Sequence, residues 1–118
     1  MTTALGTRIL IEGLDDWVPL LSLHFVAERM YPGLDEPALR KLIVETIEGL
    51  VDRHLAEVGA VSDDGFSPWF GSFDVIRRRL TEAFASNDES AWSFAAWLHN
   101  TPDGDAVASQ AEALADGE

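Results

Sequence analysis

The chain has 118 residues, 47% of them hydrophobic, enough for a single folded domain with its own core. It holds no cysteine, which excludes disulfides, thiol catalysis and zinc sites built on cysteine. Eight basic residues stand against 21 acidic ones, giving a formal net charge of −13 and a pI near 4.3, a balance that repels nucleic acid.

No apolar run approaches the roughly 20 residues that span a bilayer. The opening MTTALGTRILIEG lacks the basic, apolar and small-residue succession of a signal peptide. The expectation is a cytoplasmic protein that does not engage membranes. Its surplus carboxylates serve solubility, or they meet a basic partner or imitate DNA.

In chain order, Leu5 and Ile9 lie four apart behind a capping Thr3 and favour a helix over residues 3–13. Ile9-Leu10-Ile11 would also suit a short strand. Trp17-Val18-Pro19 reads as a strand-like entry, since proline is tolerated at a sheet edge. Leu20 to Tyr31 is apolar almost all round, the pattern of a mostly buried helix, and Tyr31-Pro32-Gly33 ends it. Asp35 then caps a long helix running toward Leu55, with Glu36 and Pro37 in its first turn. Its inward face is Leu39, Leu42, Ile43, Ile47, Leu50 and Val51; its outward stripe is Lys41, Glu45, Glu48 and Asp52. Gly49, unfavourable in a helix by about 1 kcal/mol, is expected to mark the close approach of another backbone.

Val58 to Val61 suits a strand and Asp63-Asp64-Gly65 a turn. Ser72 caps a helix from Phe73 to Ala85, with Phe73, Ile76, Leu80 and Phe84 inward and Asp74, Arg78 and Glu82 as a charge ladder. Asn87 to Ser90 reads as a loop. Trp92 to His99 alternates as a strand would, and as a strand it gives Val58–Val61 an antiparallel partner. A helix carrying Phe94, Trp97 and Leu98 fits the same residues. Thr101-Pro102 opens a last helix through Val107, Ala111 and Leu114, with fraying expected over residues 115–118.

This is a mainly helical α+β order with a small two- or three-stranded antiparallel sheet. WVPLLSLHFVAERM, ALRKLIVETIEGLVDRHL, AEVGAV and AWLHNTPDGDAVA follow one another as entry strand and second helix, third helix, first wing strand, and returning strand with final helix. In that order the chain resembles the winged-helix branch of the helix-turn-helix proteins, over most of its length. It also resembles small bacterial proteins that carry a GFxPW segment, here Gly65–Trp69, and a WLxNTxxG segment, here Trp97–Gly104. The resemblance implies one winged-helix-like domain over residues 1–118. It departs from the usual wing in placing the Ser72–Ala85 helix between the strands. It also departs in charge, since a winged helix usually lays its third helix in the major groove. Here that helix shows Lys41, Glu45, Glu48 and Asp52, whereas base and phosphate contacts rest on Arg and Lys.

His24 and His54 both fall on apolar arcs; they are either separate, partly buried histidines or a metal or pH site completed by Glu28 or Glu57. His99, beside Asn100, carries no signal alone. Arg77-Arg78-Arg79 is the only basic cluster, either a solvated helix face or a grip for an anionic ligand. Among four tryptophans, Trp69 with Phe70 is the pair most expected at the surface, as an interface anchor or as a plug over the wing edge. No nucleotide-binding, nucleophile-elbow or metalloprotease motif occurs. The expectation is a non-enzymatic protein-interaction module without cofactor or metal, its partner another protein with a basic surface or a second copy in a homodimer. The candidate surface is Lys41, Glu45, Glu48, Asp52, Trp69, Phe70, Arg77 and Arg78. A transcription regulator using Arg77–Arg79, or a ligand- or metal-binding protein using His24 and His54, are the alternatives.

Overall fold

The computed structural model describes residues 3–85 and 88–116. Its architecture is mainly helical α+β, as the patterning predicts, with the helices α1 (Ala4–Glu12), α2 (Leu20–Met30), α3 (Glu36–Asp52), α4 (Phe73–Phe84), α5 (Glu89–Trp92) and α6 (Pro102–Asp116). The strands are β1 (Val18–Pro19), β2 (Ala56–Ser62), β3 (Gly65–Pro68) and β4 (Trp97–Asn100), joined antiparallel in the order β1-β4-β2-β3.

Helix wins over strand at the N-terminus because Thr3 supplies the cap: its hydroxyl accepts the Gly6 amide at 3.0 Å. Leu5, Ile9 and Leu10 then enter the core. Helix α2 is less buried than its composition predicts. Leu20, Leu23 and Ala27 are covered, while Phe25 stays 57% exposed under the Arg29 guanidinium, 5.5 Å from its ring centre. Helix α3 buries Leu39, Ile43, Ile47 and Leu50, the inward set expected, with Leu42 and Val51 at its margin. Asp35 accepts the Ala38 amide at 2.9 Å as its cap. Gly49 marks no close approach: it is exposed, and a Cβ there would meet nothing within 4 Å.

The helix ends at Asp52 rather than Leu55, through a hydrogen-bonded C-terminal motif. The Leu55 amide donates to the Leu50 carbonyl (2.9 Å) and the His54 amide to that of Val51 (3.0 Å), with His54 in the left-handed region at φ 60°. The chain thereby turns straight into β2.

Strand β2 pairs with β4 (Val58 opposite Leu98), so the antiparallel partner predicted for Val58–Val61 is present. That partner is shorter than residues 92–99. Asp88 caps α5 by accepting the Ser90 amide at 3.0 Å, and Trp92 is the last residue of α5. Of the loop expected over 87–90, Asn87 lies outside the described residues and Glu89–Ser90 are helical. The alternation of WSFAAWLH conceals this break because Trp92 is buried from a helix and Leu98 from a strand. The sheet also gains a fourth strand, β3. Gly65 and Pro68 are poor strand formers, and the segment pairs because the Asp63-Asp64 turn folds it back onto β2, with Gly59 opposite Pro68. That contact needs glycine: a Cβ on Gly59 would lie 2.1 Å from the Ser67 carbonyl oxygen.

Helix α6 begins as predicted. The Thr101 hydroxyl accepts the Gly104 amide (3.1 Å) and donates to the His54 carbonyl (2.7 Å), tying the start of α6 to the exit of α3. Gly104 is again a contact glycine, since a Cβ would meet the Leu55 carbonyl oxygen at 1.9 Å. Helix α6 packs along α1 and buries Ala108, with Val107 and Ala111 half-buried. Leu114 is exposed rather than inward. The helix continues to Asp116, into the stretch expected to fray; residues 117–118 lie outside the described ones.

Candidate functional site

Helix α4 sends Ile76, Leu80 and Phe84 into the core and lies beside the outward stripe of α3. The two run antiparallel, since Arg40 reaches Phe84 at one end and Arg77 reaches Glu48 at the other. Between them is an open groove of about 790 Å³. Pro37, Val44, Thr81 and Phe84 line its walls, and Lys41, Glu45, Glu48 and Arg77 stand along it. Tertiary packing thus brings together four residues of the predicted surface.

The remaining four stand elsewhere. Asp52 is exposed at the end of α3. Trp69 and Phe70 separate: Trp69 packs against the core with the Arg79 guanidinium 4.9 Å from its ring centre, while Phe70 is 85% exposed. Arg78 is exposed, and no ion pair joins it to Asp74 or Glu82 among the described residues. Exposed pairs of that spacing are worth too little to hold two long side chains in place. The arginine triplet is therefore divided, with Arg77 on Glu48 and over the Phe73 ring and Arg79 over Trp69.

Charge along the groove is also more balanced than the outward stripe alone implies. Glu48 holds Arg77, and Lys41 lies 3.9 Å from Glu45. At the far end, Glu36 accepts from Arg40 Nε (2.5 Å) and from His24 Nε2 (2.9 and 3.0 Å). Arg40 also donates to the Phe84 carbonyl and lies over the rings of Phe84 (5.2 Å) and Trp92 (5.7 Å). Burial acts to raise the Glu36 carboxyl. The hydrogen bonds from Arg40 and His24, with their charge, outweigh it and hold its pKa below the ordinary 4.5. Arg40 and Glu36 are the residues that sequence reasoning passes over. Their spacing of four on α3 was visible, but the aromatic partners come from α4 and α5.

The histidines do not meet. His24 packs in a tilted arrangement against Trp92, ring centres 5.0 Å apart, and faces Glu36 in the first turn of α3, with Glu28 3.8 Å away. His54 lies beyond the last turn of that 17-residue helix, about 25 Å along its axis, as an exposed capping residue. His99 packs against Phe66 (5.1 Å) and Trp17 (6.4 Å), with Glu57 at 3.8 Å. A smaller hollow of about 250 Å³ lies beside it, lined by Asp15, Asp16, Asn100 and Asp105 among others. Among the described residues no group of three or more histidines and carboxylates could hold a metal ion. No family model, curated protein or solved structure matches the chain.

Proposed function

We propose that the protein is a non-enzymatic interaction module on a winged-helix-like scaffold, binding a partner protein through that partner's basic surface. An inhibitor, an immunity-type protein or an accessory factor is the corresponding role. The scaffold assignment is supported by the order α1, β1, α2, α3, β2 and β4, with β4 seated between β1 and β2. One observation carries the functional reading. The face of α3 that a winged-helix DNA binder would insert carries Glu45, Glu48 and Asp52, and α4 stands alongside it. Phosphate contacts rest chiefly on Arg and Lys, and carboxylates at those places repel phosphate. A charge of −13 instead steers basic partners toward the protein, an attraction that salt screens within about 10 Å at 0.1 M.

The test is capture from a native lysate at low and high salt, run beside a mobility-shift assay with genomic fragments at low salt. A protein retained at low salt and released at high salt, with no DNA retarded, is the expected result. Retarded DNA, or no salt-sensitive protein partner, overturns the proposal.

A further inference from the structure

We infer that the α3–α4 groove is the docking seat and that its occupant is an amphipathic helix of the partner, its apolar ridge flanked by lysine and arginine. This inference rests on the interaction-module reading above and deepens it. Shape is the first ground. Pro37, Lys41, Val44 and Glu48 recur at helical spacing along α3, so the groove is straight and about 16 Å long, some three helical turns. Thr81 and Phe84 of α4, with Ala85 just beyond its end, form the facing wall. Two antiparallel helices with an apolar trough between them present ridges into which a third helix packs, the geometry of helix-in-groove recognition.

Charge selects the occupant. Arg40 lines the groove but is already engaged by the rings of Phe84 and Trp92, by Glu36 and by the Phe84 carbonyl. Glu45 and Glu48 have only exposed partners, Lys41 and Arg77, and such surface pairs exchange at little cost. A cationic helix flank can therefore share Glu45 and Glu48 with them, drawn in by the net charge of −13. An acidic helix would add to a charge of −13, and Arg40, already held by Glu36 and the Phe84 carbonyl, offers it little.

The probe is a synthetic helix of leucine and lysine at helical spacing, about five turns long, compared with its glutamate-for-lysine counterpart. Amide NMR of the full chain and fluorescence anisotropy follow each titration. The lysine helix is expected to shift signals of residues 37–48 and 77–85 and to lose affinity with salt. Val44→Arg, at a half-exposed groove position, is expected to weaken it at least about tenfold, and Thr81→Arg likewise; unchanged thermal unfolding of either variant shows that the fold is intact. Equal binding of the glutamate helix overturns the basic occupant. Shifts centred on Asp15, Asp16 and Asp105, with Val44→Arg binding as wild type, overturn the groove. So does a lysate partner that both wild type and Val44→Arg capture equally; in that case the interaction module stands and only its seat is wrong. If no lysate partner is captured, the parent reading fails independently of the peptide result.

Discussion

At the scale of single residues, Asn100 joins the two ends of the chain. It is 5% exposed, and its amide nitrogen donates to the Leu10 carbonyl (2.8 Å) near the end of α1 and to Asp105 (3.1 Å) in the first turn of α6. A buried carbonyl that loses its donor bears its full desolvation cost, so Asn100→Ala should destabilise by about 1–3 kcal/mol in urea unfolding. Asn100→Asp, closer in shape, should cost more, because it sets an acceptor against two acceptors. Equal tolerance of both would mean that the amide does not act as the donor. Glu36 makes a different prediction. Facing it are His24, Arg40 and, behind His24, Glu28. Because its folded-state pKa is lowered, the unfolded chain binds the proton more readily. Its stabilisation is therefore complete above the ordinary 4.5 and lost as pH falls through the depressed value. The stability gap between wild type and Glu36→Gln should narrow as pH falls below that value; a gap that persists in acid would show that ionisation of Glu36 is irrelevant.

At the scale of elements, α3 and its C-terminal turn contain two positions where glycine and a side chain are exchanged relative to what stability favours. Gly49 sits in open helix surface, and alanine there should stabilise by about 0.5–1 kcal/mol. His54 occupies the left-handed position where glycine is usual. His54→Gly relieves about 1–2 kcal/mol of backbone strain, offset by about 0.4–1 kcal/mol of added unfolded-chain entropy. Both variants should raise the melting temperature by a few degrees, and a decrease for either would indicate a contact beyond the backbone. The same helix shows what was legible at this scale. Asp35, Pro37 and the Leu39–Leu50 face fix it from local chemistry alone. Its last turn was not legible, because DRHL continues the pattern while the Leu55 carbonyl is needed by Thr101, 3.1 Å away. Strand β3 and helix α5 were missed for a related reason. Four residues carry too little periodicity, and each forms only because a turn or a capping Asp88 delivers it to a neighbour.

At the scale of the whole molecule, the net charge is a property of composition, but its placement is not. Of eight cations, Arg8, Arg40, Lys41 and Arg77 stand beside carboxylates, while Arg29 and Arg79 lie over aromatic rings. The outward stripe of α3, acidic as a string of letters, becomes the partly compensated bank of a groove once α4 lies beside it. Salt dependence of partner capture belongs to this scale, and the Val44→Arg contrast separates whole-surface attraction from groove docking.

By itself the sequence determined the inward faces of α3 and α4, the caps at Thr3, Asp35 and Thr101, and the absence of thiol chemistry. Each follows from neighbours within a few residues or from composition. Only the tertiary structure decided that His24 meets Glu36 and not His54, that Arg40 is caged by Phe84 and Trp92, and that α4 completes a groove on α3. Those contacts join residues far apart in the chain, and their energies depend on burial and distance that no local pattern encodes.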